Sequence, residues 1–288
     1  MLLWGGSNVG TKFIVARWPA IWTGASRFTC AGLVLLCILR FSNWLGISRS
    51  LTPAIRRELW WRGGVSLAAY IVAFNWALRL TSASHVALYL GAAPVWALLW
   101  EGRPAFSWET TRRYGAATLA LSGVFVLNLP ALKASRGSWA GELLGLAASV
   151  LWPHYSRQCR ILGKELSGSE ISAHTMWRAG LLLSPLALFE LYPNGLVWRS
   201  DVVFVQAYCI VVGGVVTFAL WNRAMRYWQA SQVLLFNNLI PLSTMSWAHF
   251  CLGEPVTPTF WVAMGLVVSG VLLGQASRRE SVSVGKLE

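Results

Sequence analysis

The chain has 288 residues, 56% hydrophobic and 12% charged, against about 45–50% and about 25% in an ordinary soluble domain. With 18 Trp and a mean hydropathy of +0.52, this composition excludes a water-soluble globule and places most of the chain in lipid. A net charge of +13 would suggest nucleic acid in a soluble protein, so the placement of the charges decides what they mean.

Apolar runs bounded by basic clusters and Pro/Gly turns predict membrane spans near 2–16, 21–39, 63–80, 82–100 and 114–129. The second half continues with 139–155, 171–191, 202–221, 230–252 and 256–275. Each must be helical, because a lone span in hydrocarbon satisfies its backbone only within itself. The fold class predicted is all-α: a polytopic membrane protein of ten transmembrane helices. The run from Leu2 to Ala16 carries Asn8 and Lys12 and is read as a first span without a cleaved signal peptide. At 1.5 Å per residue it measures only about 22 Å against a hydrocarbon core of about 30 Å, which points to missing lead-in residues.

Assigning loops alternately to two sides gathers Arg40, Arg49, Arg56, Arg57, Arg62, Arg103, Arg112, Arg113, Arg157, Arg160, Lys164, Arg223, Arg226, Arg278, Arg279 and Lys286 on one side. The other side holds Arg17, Arg79, Lys133, Arg136 and Arg199, and Lys12, Arg27 and Arg178 fall within spans. By the positive-inside rule both termini are cytoplasmic in the inner membrane of the cell, and the basic excess reports orientation; no nucleic-acid partner is expected. Cys30, Cys37, Cys159, Cys209 and Cys251 contain no CxxC pair and read as small packing residues, so no disulfide framework, metal or cofactor is expected.

The sequence also repeats itself. A shift of 147 aligns Asn75-Trp76-Ala77-Leu78-Arg79 with Asn222-Arg223-Ala224-Met225-Arg226, Ser84 with Ser231, Pro94 with Pro241, and Ser122-Gly123-Val124 with Ser269-Gly270-Val271. A shift of 148 aligns Leu3-Trp4 with Leu151-Trp152, Lys12 with Arg160, and Ala31-Gly32-Leu33 with Ala179-Gly180-Leu181. Five spans is an odd number, so the second copy enters the membrane from the opposite face. The expectation is two inverted five-helix repeats, residues 1–133 and 134–276, with a cytoplasmic tail at 277–288. Such a protein has two packings of similar energy about a midplane site, as alternating access requires.

Several segments resemble a known family: Trp4-Gly5-Gly6-Ser7-Asn8 with Lys12, Pro19 and Arg27; Asn75 to Leu78 through Thr81-Ser82-Ala83-Ser84 to Pro94-Val95; and Pro241 through Leu252-Gly253-Glu254-Pro255 to Gly265 and Gly270-Val271. Together they are similar to the EamA-like branch of the drug/metabolite transporter superfamily. The resemblance implies a ten-helix, two-repeat carrier, most often an exporter of amino acids or related metabolites. Its cavity would be lined by helices 1, 3 and 4 and their mates 6, 8 and 9. Trp100-Glu101-Gly102 departs from the Leu-Gly-Glu of the second repeat, and the lead-in before Trp4 is short.

Arg27 lies about 9 Å into span 2 and Arg178 about 10 Å into span 7. A buried guanidinium faces a bundle interior or a water-filled cavity, which fits carboxylate binding or gating; snorkelling to the interface is the alternative. Trp4, Asn8 and Lys12 recur every four residues and share one stripe of helix 1, while Trp152 and Tyr155 lie on helix 6. These five could wall a cavity for an amphipathic metabolite, or the aromatics could be interfacial anchors. Asn237 and Asn238 are deep amides, open to a substrate or to another helix. For the end-of-helix pair Asn75 and Asn222 a packing or capping role is favoured over a substrate contact. Pro94 and Pro241 each remove a donor mid-span and so mark hinges or static kinks in helices 4 and 9.

No carboxylate lies centrally in a span, which disfavours cation-drug and polyamine carriers and suits zwitterionic or anionic substrates. If protons drive transport, His154 and His249 are the candidates. The main alternative is an intramembrane lipid-modifying enzyme using His154 or His174. The single aspartate, Asp201, is assigned to a loop, which excludes a paired-aspartate protease, and no GxSxG or HExxH occurs. The reading is therefore a non-enzymatic carrier of small metabolites, an exporter by the resemblance above, surrounded by membrane lipid.

Overall fold

The computed structural model describes residues 1–46, 49–93, 96, 108–134, 138–221 and 239–284. Among these residues every regular element is a helix. In chain order they are α1 (Leu2–Val15), α2 (Ala20–Phe41), α3 (Pro53–Leu80), α4 (Ala83–Gly91), α5 (Trp108–Ala134), α6 (Trp139–Leu162), α7 (Gly168–Asn194), α8 (Ser200–Trp221), α9 (Leu239–Leu252) and α10 (Pro258–Val284). A one-turn 3-10 helix, Asn43–Leu45, follows α2. By length and composition α2, α3 and α8 could each cross a membrane, and α9 and the segment Pro258–Leu273 are shorter apolar helices. These features make the chain a membrane protein.

Side chains set the helix ends. Thr52 accepts from Ile55 N ahead of Pro53 in the first turn of α3, and Ser82 accepts from His85 N at 3.1 Å to begin α4. Ser167 and Glu170 form a reciprocal capping box on α7. Gly195, at φ 64°, ends α7 with its N–H on Leu191 O, a conformation that a side chain would strain. The first turn of α2 is capped from a distance. Glu190 of α7 accepts from the backbone N–H of Ala20 at 3.1 Å and Ile21 at 2.7 Å.

Several boundaries differ from the sequence expectation: α5 and α6, expected at 114–129 and 139–155, run over Trp108–Ala134 and Trp139–Leu162. α3 starts ten residues before 63, because the Thr52–Pro53 cap and the Glu58–Arg62 ion pair sustain a polar turn outside the apolar run. α10 continues through 277–284 where a tail was expected. Asp201 lies in the first turn of α8 rather than in a loop, accepting from Val202 N at 2.9 Å and pairing with Arg199. Pro94, Asn222, Asn237 and Asn238 lie outside the described residues.

Packing runs through small residues, as it must where lipid is as apolar as a helix face and close contact supplies the attraction. α2 meets α7 at Gly32, where a Cβ would reach Trp177 N at 2.5 Å and Ala173 O at 2.9 Å, and at Gly180, where it would strike Thr29 and Ala25 O. These glycines are 148 positions apart. α5 meets α10 in the same manner, Gly123 against Ala263 O and Gly270 against Ala116 O, each 2.6 Å from a built Cβ. Gly63 and Gly64 of α3 lie in a π turn, Leu59–Gly64, and pack on Thr175 and Arg178 of α7. Gly213 and Gly214 of α8 lie in a second π turn, Cys209–Val216, and pack on Ser7, Arg27 and Ala31. α1 packs on α8 and α9, and α6 packs on α3 and α4. Exchanging each helix for the one five places along carries these pairings into one another.

Candidate functional site

The residues singled out on α1 all reach other helices. Trp4 makes a T-shaped contact with Phe218 of α8, ring centroids 5.4 Å apart, and lies the same distance from Trp221. Asn8 Nδ2 donates to Thr244 Oγ1 of α9 at 3.2 Å. Lys12 Nζ donates to the carbonyl of Thr81, just after α3, at 2.6 Å. A four-residue period puts all three on one stripe, and the structure uses that stripe to join α1 to α8, α9 and the α3–α4 corner.

Arg27 is 6% exposed. Its Nη1 donates to Thr11 Oγ1 at 2.9 Å, and its guanidinium carbon lies 5.2 Å from the Phe28 ring centroid. Thr11 in turn donates to Ser7 O at 2.7 Å, so α1 supplies the neutral oxygens beside the cation. Among the described residues no carboxylate pairs with Arg27, and Arg27 Nε, Ser7 Oγ and Gln206 Oε1 are buried without hydrogen-bond partners. Gln206 Nε2 is held by Thr23 O at 3.1 Å and Ser26 Oγ at 2.9 Å. The contact between α1, α2 and α8 therefore holds a fixed positive charge and unspent polar atoms. That combination is costly unless a counter-charge arrives.

The equivalent place in the second half is different. Tyr155 and Thr175, the 148-shift mates of Ser7 and Arg27, bond to each other at 2.8 Å, both buried. Trp152 packs on Tyr155 at 5.7 Å and on Tyr70 of α3 at 5.0 Å, between ring centroids. Where one half has a cation beside a hydroxyl, the other has a neutral pair beside an aromatic wall.

Arg178 has Cys30, not Arg27, as its repeat mate. Its Nη1 lies 3.0 Å from both His174 Nδ1 and His174 O, and the guanidinium lies over Trp177 at 4.3 Å and Trp60 at 5.5 Å. These contacts pin Arg178 to its own helix rather than letting it snorkel, since it is 3% exposed, and its Nε, like that of Arg27, is buried without a hydrogen-bond partner. His154 is half-buried on α6. His249 is exposed at the end of α9 with Nδ1 3.0 Å from Glu254 O, so it serves the turn after that helix. Asn75 is buried and donates to Ala20 O at 2.8 Å, as a packing residue does. Pro241 is buried in α9 and faces Gly91 of α4, where a Cβ would meet its Cγ at 3.0 Å.

The sequence reading missed a cluster around the start of α4. Glu142, in the first turn of α6, accepts from Tyr89 Oη at 2.5 Å and from the Thr81 hydroxyl, and lies 3.1 Å from His85 Nδ1. Glu254 accepts from Ala83 N at 2.8 Å and from Ser84 N and Oγ at 3.2 and 2.7 Å. With Lys12 on Thr81 O, these contacts tie α1, α3, α4, α6 and the segment after α9 together at the end of the bundle assigned to the outside. Glu142 was passed over because it lies at a span end, where a charge is ordinary. The available signal was His85-x-x-x-Tyr89, two polar groups on one face of an apolar helix. Replacing Glu142 with Gln should lower the melting temperature in detergent by several degrees. In a double-mutant cycle with Tyr89→Phe, a coupling of about 1.5–3 kcal/mol is expected, since hydrogen bonds to charged groups carry that much.

A family model described as the EamA-like transporter family matches residues 1–129 and again residues 139–274. An uncharacterized transporter of Archaeoglobus fulgidus is 22% identical, with 97% of this chain and 96% of that protein covered. An uncharacterized protein of Pseudomonas aeruginosa is 30% identical over 78% of this chain and 76% of its own length. One solved crystal structure superposes with a TM-score of 0.63 at 16% identity, covering 97% of this chain and 96% of its own, a likeness of fold alone.

Proposed function

The chain belongs to the EamA-like transporter family, and from that premise we propose that it moves small zwitterionic or anionic metabolites, amino acids and their relatives, across the cytoplasmic membrane by alternating access. The observation that carries this reading is Arg27: a buried guanidinium beside neutral hydroxyls, with no acidic partner among the described residues. A substrate carboxylate would complete it with a charge-assisted, two-pronged hydrogen bond, and Ser7 Oγ and Gln206 Oε1 supply further polar atoms. The aromatic wall of Trp152, Tyr155 and Tyr70, and Trp4 across the bundle, suits an apolar side chain on the same substrate.

The rocking element would be a pair of inverted five-helix repeats. Support comes from the family model matching the chain twice and from helix pairings that map onto one another under the five-helix exchange. It also comes from glycine contacts spaced at 147 and 148. In this reading the Lys12, Thr81, Glu142 and Glu254 contacts close the outer end and separate when the site opens outward, while Pro241 on Gly91 marks the α4–α9 pivot. The outward direction of transport follows from the resemblance set out above, and protons are the coupling ion to be tested.

Purified protein in liposomes, loaded with labelled amino acids, organic acids and nucleobases, tests the reading. Saturable efflux of a carboxylate-bearing compound, stimulated by unlabelled compound on the other side, is the expected result, and a pH gradient of either sign shows whether protons are coupled. Transport restricted to compounds without a carboxylate would overturn the substrate class, and recovery of a chemically altered product would overturn the carrier.

A further inference from the structure

A cavity of about 500 Å³ lies on the outside of the bundle, between the first turns of α3 and the middle of α7, away from Arg27. α3 has 28 residues and is about 42 Å long at 1.5 Å per residue, some 12 Å more than the hydrocarbon core it crosses. Its first turns carry Arg56, Arg57 and the Glu58–Arg62 pair, so the excess falls there, at the level of the lipid headgroups on the side that carries the basic loops.

The cavity's lining changes character along that depth. Pro53, Arg56 and Arg57 lie at the headgroup end, Trp60 and Trp61 follow one turn deeper, and Val65 and Leu182 of α7 close the far end. The stripe recurs at three- and four-residue spacing, so it lies along one face of α3. Gly64 lets α7 approach there, since a Cβ would meet both Arg178 Cβ and Leu182 Cδ1 at 3.3 Å. The T-shaped pair of Trp60 and Trp177, with centroids 5.6 Å apart, fixes one wall.

The two arginines have spare charge. Glu58, the carboxylate nearest in sequence, is taken by Arg62, and among the described residues no ion pair involves Arg56 or Arg57. Trp61 is 71% exposed and Val65 41% exposed at depths where the surrounding solvent is lipid. Cations at the headgroup level, indoles at the interface and aliphatic carbons below match the order of a phospholipid with a negatively charged headgroup. A soluble anion would satisfy the arginines but would leave the indole and aliphatic surface without a partner.

We propose that this cavity is a binding site for an anionic phospholipid of the cytoplasmic leaflet, its phosphate on Arg56 and Arg57 and one acyl chain lying over Trp61, Val65 and Leu182. The site is separate from the transport pathway and rests on the α3–α7 contact.

The test uses the full chain in a neutral detergent, titrated with phosphatidylglycerol or phosphatidylcholine and read as lipid adducts by native mass spectrometry. Phosphatidylglycerol should be retained about fivefold or more over phosphatidylcholine, with the preference lost in the Arg56→Gln/Arg57→Gln double variant. Val65→Trp should reduce retention of both lipids with the charges intact, because it fills the deep end. Arg40→Gln/Arg160→Gln removes the same charge from the same side of the membrane and should leave the preference unchanged. Equal retention of the two lipids would overturn the proposal, as would an equal loss in the Arg40/Arg160 control. So would displacement of phosphatidylglycerol by inorganic phosphate, which would mark a free-anion site. Circular dichroism and a single elution peak establish that each variant is folded, and these substitutions fall at exposed positions, Arg160 of α6 among them.

Discussion

Replacing Arg27 with Leu is expected to abolish transport while leaving the melting temperature unchanged or higher. The two effects separate because the guanidinium contributes little to folding: among the described residues its hydrogen-bond partner is one hydroxyl, Thr11 Oγ1, and its Nε is buried without any. Removing a buried charge with so little compensation relieves a desolvation penalty. A bond between this cation and a substrate carboxylate is expected to contribute about 1.5–3 kcal/mol, so its loss lowers binding roughly 10- to 150-fold before any effect on the moving step. Counterflow in liposomes reads the transport, and thermal unfolding in detergent reads the stability. Arg27→Lys keeps the charge without the planar fork and should retain a measurable fraction of the flux. A Leu variant that melts far lower and transports at the same rate per folded molecule would assign Arg27 to the scaffold.

Replacing Gly180 with Val should have the largest effect on folding. A Cβ at Gly180 strikes Thr29 Oγ1 and would lie 2.7 Å from Ala25 O and 2.8 Å from Thr29 N. Two of those atoms are backbone of α2, so no rotamer change clears the clash and α2 and α7 must separate. Overpacking of well-filled interiors costs about 1–3 kcal/mol, and here it falls on a glycine contact that joins the two halves. The expected outcome is loss of the folded peak in detergent, or a melting temperature lowered by ten degrees or so. Gly265→Ala is the control, because nothing lies within 4 Å of a Cβ built there. In that helix Ala is favoured over Gly by up to about 1 kcal/mol, so its melting temperature should hold or rise. Equal behaviour of the two variants would show that the α2–α7 crossing tolerates an opening of an ångström or more.

Arg27 and Glu142 illustrate what could be read from one dimension. Arg27 was conspicuous because a charge seven residues into an apolar helix has few explanations, a place facing the bundle interior or snorkelling to the interface. Glu142 was not, since a carboxylate in a helix's first turn is common and its three partners, Thr81, His85 and Tyr89, come from 53 to 61 positions away. The roles of the α1 stripe were also hidden. Its period predicts that Trp4, Asn8 and Lys12 share a face, but not that Asn8 meets Thr244, 236 residues on. His249 and Arg178 looked alike to His154 and Arg27 in sequence, and only their surroundings tell them apart: a backbone carbonyl for the first, a histidine and two indoles for the second.

Composition and hydrophobic periodicity determined by themselves that this chain is helical and belongs in a membrane, because lipid leaves the backbone no other way to satisfy its hydrogen bonds. The repeat spacing of 147 to 148 likewise stands in the sequence alone. Which helix faces which, which arginine is left with unspent charge, and where the polar cluster forms at the outer end were decided by tertiary structure. Those outcomes depend on close approaches at Gly32, Gly180, Gly63 and Gly213, and a glycine in a sequence does not announce the partner that its missing side chain admits.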